Sequence, residues 1–383
     1  MQDKKMPLRV LYFFPGVFLP PKTGGDQRAL FMVQYLLNRY KKVCVVMLSS
    51  EDAEKDDVAT DMLHDMGATV YIQRRRKSSF IQMTGRLRRW WSLILGRMPS
   101  LATTAFLDQE TMEVFVEVCL RFKPHLVMIY HSKNAGLYKY IPPSTITILD
   151  TIDVYKHLHH TYFDRRGLRS VLAPLLLGYR EKGVLYESEL KALMRYDAVI
   201  AISPDDHKKY VTAGLPPERV HLVSACVDAT VDTPTALVVD KDIDLLFVGS
   251  RFVGTEQAVR FLLEDIVPRL SQVVHVAVVG SIGNLIRDVP VRPSPGVELS
   301  VEGIVPDVEP YYHRSKIVVI PVLGGTGTSV KTMEAFVFGA CVITTSAGAR
   351  MEGTADEINC IIRDDASTFA DAIQSLLADP SRR

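Results

Sequence analysis

The sequence is poor in cysteine, nearly neutral in charge and without long apolar runs. Its five cysteines are scattered over 383 residues, with no CxxC pair and no histidine at metal-ligand spacing. This usage excludes a fold held together by disulfides and predicts reduced thiols, as in cytoplasmic proteins. The formal net charge of +1 argues against a general nucleic-acid binder, because such proteins carry a strongly basic face. We therefore expect no nucleic-acid partner.

No stretch of the chain is long and apolar enough for a membrane span, so none is expected. The first apolar run, Val10–Phe14, is too short for a signal peptide and leads into a proline-rich loop. At 47% apolar and 23% charged residues, the composition is that of a globular protein. Its length is enough for two domains with separate cores.

Short β-branched runs alternate with amphipathic helical segments. A strand is predicted over Leu8–Phe14, a helix over Gln27–Asn38 after a loop that ends in two glycines, and a second strand over Lys42–Leu48. This order predicts a doubly wound parallel sheet. Further along, Val171–Met194 is predicted to form one long helical stretch.

A break in this pattern divides the chain into two predicted domains. Residues 228–241 read as a hinge, because they fit neither the strand nor the helix pattern. A new series of strands begins at Ile243–Val248. We therefore predict an N-terminal domain over residues 1–227 and a C-terminal domain over residues 242–383.

The most informative stretch runs from Lys316 to Ala349. A strand, Lys316–Val322, is followed by the loop Leu323–Thr328, which has three glycines in six residues, and by a helix over Ser329–Phe338. A glycine loop entering a helix directs free backbone N–H groups and the positive end of the helix dipole at one spot. Such a spot suits phosphate.

Two charged side chains strengthen this interpretation. Lys331 lies in the first turn of the predicted helix, and Glu334 lies three residues on, so both project from one face. Lysine and free amides suit the phosphates of a nucleotide, and a carboxylate suits its ribose hydroxyls. The alternative is a plain strand–loop–helix turn with a surface Lys–Glu pair, although such turns rarely combine three glycines with a lysine.

Two other nucleotide motifs do not fit this stretch. A dinucleotide fingerprint could begin at Gly325, but Val330 stands where its third small residue should be, and the next strand ends in two threonines without an acidic residue. A Walker loop needs Gly-Lys-Ser/Thr, which is missing here. A hydride-transfer enzyme is therefore disfavoured.

The run GTGTSVKTMEA, followed by VITT and SAGA, resembles the donor site of family-4 retaining glycosyltransferases. The resemblance is specific over Ile243–Gly353 and more diffuse before it. It implies an α/β GT-B architecture, with two Rossmann-like doubly wound domains facing a central cleft. The implied reaction moves a sugar from a nucleotide-diphosphate sugar to a hydroxyl acceptor, a glycan or a lipid-linked polysaccharide precursor. Retention of configuration is implied, and no metal or other cofactor is expected.

The resemblance also implies roles for individual residues. Lys331 and Arg251 would stabilise the leaving diphosphate, and Glu334 would bind the ribose. The family's usual second lysine after Arg251 is missing, and Thr326 stands where its first glutamate is common. The remaining donor-binding candidates are Gly24, Gly25, Gly249, Gly324, Gly325, Thr326, Gly327, Thr328 and Ser329.

Two polar residues follow neighbouring predicted strands of the first domain. His131 comes after HLVMIY and Asp150 after TITIL, and ligands bind at the carboxyl ends of such strands. The resemblance implies that both position the sugar or the acceptor; a loop-capping role is the alternative for His131. Asp150 and Asp153 do not have the spacing of an Asp-x-Asp metal pair, and the KHLHH cluster at 156–160 lacks a convincing zinc spacing. No metal site is predicted.

The segment Arg74–Met98 is unusual because it holds eight basic residues, no acidic residue and both tryptophans of the chain. Basic and aromatic residues on one amphipathic helix suit an anionic membrane surface. Packing of the tryptophans into the first domain is the alternative. With the implied lipid-linked acceptor, the segment predicts a cytoplasmic protein in peripheral contact with the inner face of the membrane.

Two further functions stay open at this point. A nucleotide-sugar epimerase on the same fold would bind the same donor without an acceptor surface. A non-catalytic sugar-nucleotide binding subunit would explain the missing lysine and glutamate. Family members usually end with a helix that crosses back onto the first domain, so either this member lacks it or the chain is shortened after Arg383.

Overall fold

The chain divides into two compact units, Met1–Ala225 and Cys226–Arg383. A computed structural model describes residues 5–21, 23–49, 52–73, 109–152, 154, 181–182, 185–227, 240–251, 253–288, 297–324, 329–351 and 353–383. Several predicted features lie outside the described residues: the segment Arg74–Met98, Asp153, the KHLHH cluster and residues 228–239 of the predicted hinge.

The first unit is built on a parallel sheet with the strand order β3-β2-β1-β4-β5-β8-β9. The strands of this unit are β1 (Met6–Phe14), β2 (Tyr40–Leu48), β3 (Thr69–Gln73), β4 (Leu126–Tyr130), β5 (Ile146–Asp150), β6 (Glu181–Lys182), β7 (Leu185–Tyr186), β8 (Ala198–Ala201) and β9 (Val220–Leu222). Its helices are α1 (Gly24–Arg39), α2 (Ala53–Asp65), α3 (Gln109–Phe122), α4 (Glu187–Leu193) and α5 (Pro204–Thr212). A 3₁₀ helix, Ser132–Tyr140, follows β4. The doubly wound sheet predicted from the sequence is confirmed.

The apolar composition of β1 follows from burial on both of its faces. Leu11 and Phe13 belong to the core on one side of the sheet, where Phe13 meets Phe115 edge to face at 5.7 Å between ring centroids. Val10 and Tyr12 belong to the core on the other side. Successive side chains of a strand point to opposite faces of the sheet. A strand that is covered on both sides therefore carries apolar residues on both faces.

Helix α1 begins earlier than the predicted Gln27–Asn38. Its first residue is Gly24, and Thr23 is the N-cap residue. The Thr23 hydroxyl accepts from the Asp26 N–H at 3.2 Å, and the Asp26 carboxylate accepts from the Thr23 N–H at 2.9 Å, which together form a capping box. Gly24 and Gly25 therefore belong to the first turn of the helix instead of the loop before it.

The long helix predicted over Val171–Met194 is wrong in the part that the structure describes. Strands β6 and β7 pair antiparallel as a short hairpin, and helix α4 begins only at Glu187. The sequence has a glycine at position 183, which lowers helix propensity. Helical periodicity alone did not reveal this interruption.

The second unit holds a parallel sheet with the strand order β12-β11-β10-β13-β14-β15. Its strands are β10 (Ile243–Val248), β11 (Val274–Val279), β12 (Val297–Gly303), β13 (Ser315–Ile320), β14 (Val342–Thr344) and β15 (Ile361–Ile362). Its α-helices are α6 (Val253–Arg260), α7 (Gly283–Asp288), α8 (Glu309–Arg314), α9 (Val330–Val337) and α10 (Ala366–Ala378). A π-helical turn, Phe261–Ile266, continues α6.

The five cysteines are all reduced and differ in exposure. Cys226 is exposed and Cys341 is half-buried, whereas the other three are buried. Burial raises the pKa of the Cys44 thiol to about 12 and that of Cys119 to about 12. The thiolate is the form that reacts with Ellman's reagent. In the native protein we therefore expect one fast thiol, Cys226, and one slow thiol, Cys341.

The remaining thiols should react only after denaturation. Cys226→Ser should remove the fast phase alone. Rapid modification of three or more thiols in the native protein would contradict the described burial.

Candidate functional site

The strand order of the second sheet places a crevice between the ends of β10 and β13. From β10 the chain adds β11 and β12 on one side, then crosses back to add β13 on the other. The loops after β10 and β13 therefore leave in opposite directions, which is the position where open α/β sheets bind ligands. Gly249 and Arg251 follow β10, and Gly324 and Ser329 follow β13. Gly325, Thr326, Gly327 and Thr328 lie outside the described residues.

Lys331 lies in the first turn of α9, beside this crevice. Its side chain is half-buried, and the ammonium donates a hydrogen bond to the Thr255 hydroxyl at 3.0 Å. The same nitrogen lies 5.9 Å from the centre of the Phe247 ring. Burial lowers the pKa of Lys331 to about 8, although the Glu334 carboxylate opposes the shift. The Lys331 side chain is thus held between a hydroxyl of α6 and an aromatic ring of β10.

Glu334 has its own partner on another helix. Its carboxylate accepts a hydrogen bond from the Tyr312 hydroxyl at 2.8 Å, and Tyr312, on α8, is buried and stacks on Phe338. Burial raises the pKa of Glu334, while the Tyr312 hydrogen bond and the Lys331 charge act in the opposite direction. Lys331 and Glu334 thus share a helix and are held by different neighbours.

Ser329 is the N-cap residue of α9, as the sequence predicts. Its hydroxyl accepts from the Thr332 N–H at 3.4 Å and lies 2.9 Å from the Thr332 hydroxyl. The Thr332 hydroxyl lies 2.7 Å from the Gly348 carbonyl, which ties the helix start to the loop after β14. The hydroxyl of Ser329 therefore fixes the start of the helix.

Close packing surrounds the loop after β10. A Cβ on Gly249 would lie 2.4 Å from the Thr255 methyl group and 3.1 Å from the Phe247 ring. The Gly280 Cα approaches the same backbone, so that an added Cβ there would lie 2.3 Å from the Gly249 carbonyl oxygen. The Arg251 N–H donates to the Ser281 hydroxyl at 2.8 Å, and the Arg251 side chain is exposed. Arg251 is thus at the rim of the crevice, with its backbone fixed.

The two loop glycines Gly249 and Gly324 should respond differently to alanine. Gly249→Ala should lower the free energy of unfolding by about 1–3 kcal/mol, because overpacking forces neighbours to move. Gly324→Ala should leave it unchanged within about 0.5 kcal/mol, since an added Cβ meets no described atom within 4 Å and the backbone is unstrained. Urea unfolding measures both. Equal losses for the two variants would contradict the packing around Gly249.

The first sheet has its own reversal of strand order, between β1 and β4. Gly24 and Gly25 start α1, which follows the loop after β1, and His131 directly follows β4. The Tyr130 hydroxyl donates to the Gly25 carbonyl at 3.2 Å. A Cβ on Gly25 would lie 2.8 Å from that hydroxyl, so glycine permits the close approach of β4 to α1.

His131 has a strained backbone at this position. Its φ of 70° lies in the left-handed region, which non-glycine residues rarely adopt. The Nδ1 atom accepts from the Lys133 N–H at 3.2 Å, which caps the following 3₁₀ helix. Burial lowers the pKa of His131 to about 3, with a smaller contribution from Lys133. His131 is therefore neutral at physiological pH and caps the 3₁₀ helix; its predicted contact with the sugar stays a prediction.

Asp150 is completely buried and bound to a residue that sequence reasoning missed. Its two carboxylate oxygens accept from Nε and NH2 of Arg28 on α1, at 3.0 and 2.9 Å. Burial raises the pKa of Asp150, and the Arg28 guanidinium opposes that rise. The NH1 group of Arg28 donates to the carbonyls of Val223 and Ser224, both at 2.9 Å. The ion pair thus joins the end of β5, α1 and the segment after β9; a contact of Asp150 with sugar stays a prediction.

Two kinds of feature are absent from the residues that the structure describes. No group of three histidine, cysteine or acidic side chains there could hold a metal ion. Among the same residues, no helix combines the length and apolarity of a bilayer-crossing segment.

Several solved structures are similar to the chain as a whole. HepE from Anabaena, crystallised with UDP and glucose, is 12% identical, with a TM-score of 0.61 over 98% of this chain and 91% of that one. Sucrose-phosphate synthase from Thermosynechococcus elongatus is 14% identical, with a TM-score of 0.63 over 98% and 91%. WaaG, a glycosyltransferase involved in lipopolysaccharide biosynthesis, is 12% identical, with a TM-score of 0.57 over 98% and 92%.

By sequence, no curated protein is significantly similar to the chain. The family described as glycosyl transferases group 1 matches residues 242–379, which include β10, β13 and α9. Residues 242–379 of the C-terminal unit are therefore similar to the glycosyl transferases group 1 family, and the chain as a whole has the α/β GT-B fold.

Proposed function

We propose that the protein is a retaining, metal-independent glycosyltransferase, which moves a sugar from a nucleotide-diphosphate sugar to the hydroxyl of a glycan or lipid-linked precursor. The observation that carries the proposal is the half-buried Lys331 at the β10–β13 crevice, whose ammonium contacts Thr255 and Phe247 inside the region that matches the family. The charge of a lysine is rarely withdrawn from water without an anionic partner. Here the described neighbours offer it a neutral hydroxyl and an aromatic face. An anionic ligand would offset the burial of that charge.

The proposed reaction depends mainly on electrostatic stabilisation of the leaving group by the protein. As the bond between the sugar and the diphosphate breaks, negative charge develops on the diphosphate. Lys331 and the N–H groups at the start of α9 stabilise that charge, and Arg251 can reach it from the rim. Glu334, fixed by Tyr312, accepts hydrogen bonds from the ribose. Groups that are held in place before the reaction need little rearrangement as it proceeds.

The first experiment measures binding to UDP, GDP, dTDP and CDP by thermal shift, with and without EDTA. UDP comes first because the similar HepE structure contains it. A ligand at 100 times its dissociation constant adds about 2.7 kcal/mol to the free energy of unfolding. A selective shift that EDTA leaves unchanged supports the proposal. The absence of a shift with all four nucleotides would overturn it.

A second experiment distinguishes transfer from the two other functions. Each nucleotide sugar of the preferred base is incubated with the protein and with candidate hydroxyl acceptors. Release of the nucleoside diphosphate together with a glycosylated acceptor supports transfer, and NMR of the new anomeric proton reports retention or inversion. Conversion of the sugar without an acceptor would instead support an epimerase, and binding without turnover a non-catalytic subunit.

For the acceptor side, we propose peripheral membrane contact through Arg74–Met98. The support is the composition of the segment, eight basic residues with both tryptophans. Replacement of Trp90 and Trp91 by serine should reduce co-sedimentation with anionic liposomes and leave behaviour with neutral liposomes unchanged. Equal sedimentation of both proteins with anionic liposomes would remove this part of the proposal.

A further inference from the structure

We propose that Thr255 is a positioning residue that holds the Lys331 ammonium at the β10–β13 crevice, ready for the diphosphate of the donor. The inference rests on the proposed function and adds a residue to it. Sequence motifs around Lys331 do not include Thr255, which belongs to a different helix.

The contact joins two elements that flank the crevice. Thr255 lies in the first turn of α6, after β10, whereas Lys331 lies in the first turn of α9, after β13. The Thr255 side chain is buried, at 5% exposure, and its hydroxyl accepts from the ammonium at 3.0 Å. Phe247, at the end of β10, contributes its ring face at 5.9 Å. Both groups that hold the ammonium therefore come from the β10–α6 side.

Packing fixes the direction of the Thr255 hydroxyl. The Thr255 methyl group occupies space that only a glycine leaves open, because a Cβ on Gly249 would lie 2.4 Å from it. Threonine is branched at Cβ, so its χ1 angle is stiff and the methyl position determines the hydroxyl position. The packing of Thr255 against Gly249 thus orients the Thr255 hydroxyl toward the Lys331 ammonium.

Such an acceptor matters because lysine is long and flexible. Four rotatable bonds let the ammonium leave the crevice in the free protein. The Thr255 hydroxyl supplies a weak, neutral partner that keeps the ammonium in place and leaves its other hydrogens for an anion. An acidic partner at the same position would neutralise the charge and compete with the diphosphate. Glu334, the charged group that acts on Lys331 among the described residues, binds Tyr312 instead.

The test compares Thr255→Val, which keeps the branched shape and removes the hydroxyl, with Thr255→Ser, which keeps the hydroxyl. Thr145→Val is the matched control, because the Thr145 hydroxyl is also buried and bonded, at 3.2 Å to the Pro124 carbonyl, but belongs to the first unit. Isothermal titration calorimetry measures the dissociation constants of UDP, GDP, dTDP and CDP from pH 6.5 to 9.5.

Thr255→Val should weaken nucleotide binding about 5-fold or more at pH 7, because the diphosphate must then bring a mobile ammonium back into place when it binds. Its affinity should also begin to fall at lower pH than in the wild type, because the ammonium has lost an acceptor that favours the charged form. Thr255→Ser should restore most of the affinity and the wild-type pH profile. Thr145→Val should lower the free energy of unfolding and leave both the nucleotide affinity and its pH profile unchanged.

A second readout needs no ligand. The NMR signal of ¹³C-labelled lysine Cε, assigned by its loss in Lys331→Met, should titrate at lower pH in Thr255→Val than in the wild type. Nucleotide binding in Thr255→Val with the affinity and pH profile of the wild type would overturn the role of Thr255 alone. Failure of the wild type itself to bind any of the four nucleotides would overturn the proposed function, and the role of Thr255 with it.

Discussion

Replacement of Lys331 by methionine should raise the melting temperature of the ligand-free protein and remove most of its affinity for the nucleoside diphosphate. The two effects have one cause. Burial lowers the pKa of Lys331 to about 8 from its ordinary value of 10.5. Below pH 8 the folded protein therefore keeps a charge in a place that disfavours it, and this charge is useful only when an anion binds.

The sign of the stability effect follows from proton linkage. Between pH 8 and 10.5 the unfolded chain holds a proton that the folded protein has lost, so the free energy of unfolding rises with pH in this range. Below pH 8 the full cost of the charged lysine is present, at most roughly 3 kcal/mol at 1.36 kcal/mol per pKa unit. Methionine has a similar shape without the charge. We expect about 1–2 kcal/mol of added stability at pH 7, since the hydrogen bond to Thr255 is also lost.

The loss of binding should be larger than this gain. A hydrogen bond between charged groups contributes about 1.5–3 kcal/mol, which corresponds to about 10- to 150-fold in the dissociation constant. Wild-type affinity should fall as the pH rises through about 8, where free Lys331 loses its proton, and the affinity of the variant should not. Calorimetric titration at several pH values and thermal unfolding without ligand measure the two effects.

Lys208→Met is the matched control, because Lys208 is exposed and lies in the first unit. It should change neither the melting temperature nor the dissociation constant beyond error. Lys331→Met with unchanged nucleotide affinity would remove Lys331 from the donor site. A lower melting temperature of Lys331→Met than of the wild type would mean that the wild-type ammonium stabilises the ligand-free fold. The predicted cost of its burial would then be wrong.

The parts of the site that the sequence predicts well are local. The strand β13, the Ser329 cap and the position of Lys331 all follow from residues close together in the chain. The partners of the charged groups do not. Thr255 is 76 positions from Lys331, and Tyr312 is 22 positions from Glu334. Such pairs depend on which strands are neighbours in the sheet, and a single sequence does not give that order.

Local rules also explain two of the wrong boundaries. The start of α1 could have been found, because Thr23 and Asp26 have the spacing of a capping box. The β6–β7 hairpin could be suspected only from the glycine at position 183, since its flanking residues suit a helix equally well. No sequence pattern around Arg28 indicates that it is buried in an ion pair. Its partner Asp150 is 122 positions away, and an arginine near the start of a helix is usually solvated.

The buried Arg28–Asp150 ion pair should contribute strongly to the stability of the first unit. Asp150→Asn should lower the free energy of unfolding of the first unit by about 3–5 kcal/mol, because it leaves the Arg28 charge buried without a counterion. Both side chains are almost fully buried, at 2% and 0% exposure. Arg28→Met should cost a similar amount. The double variant Arg28→Met with Asp150→Leu should lose less than the sum, since no unpaired charge remains.

Urea unfolding followed by tryptophan fluorescence measures these changes, since both tryptophans lie in the sequence of the first unit. The matched control is Glu187→Gln, which breaks the exposed pair between Glu187 and Lys191, 2.6 Å apart with 37% and 66% exposure. That change should cost about 0.5 kcal/mol or less. Hydrogen exchange should in addition rise around Val223 and Ser224 in Arg28→Met, because their carbonyls lose the guanidinium that binds them. Equal small losses for Asp150→Asn and Glu187→Gln would show that the buried pair is not needed to hold α1, β5 and the segment after β9 together.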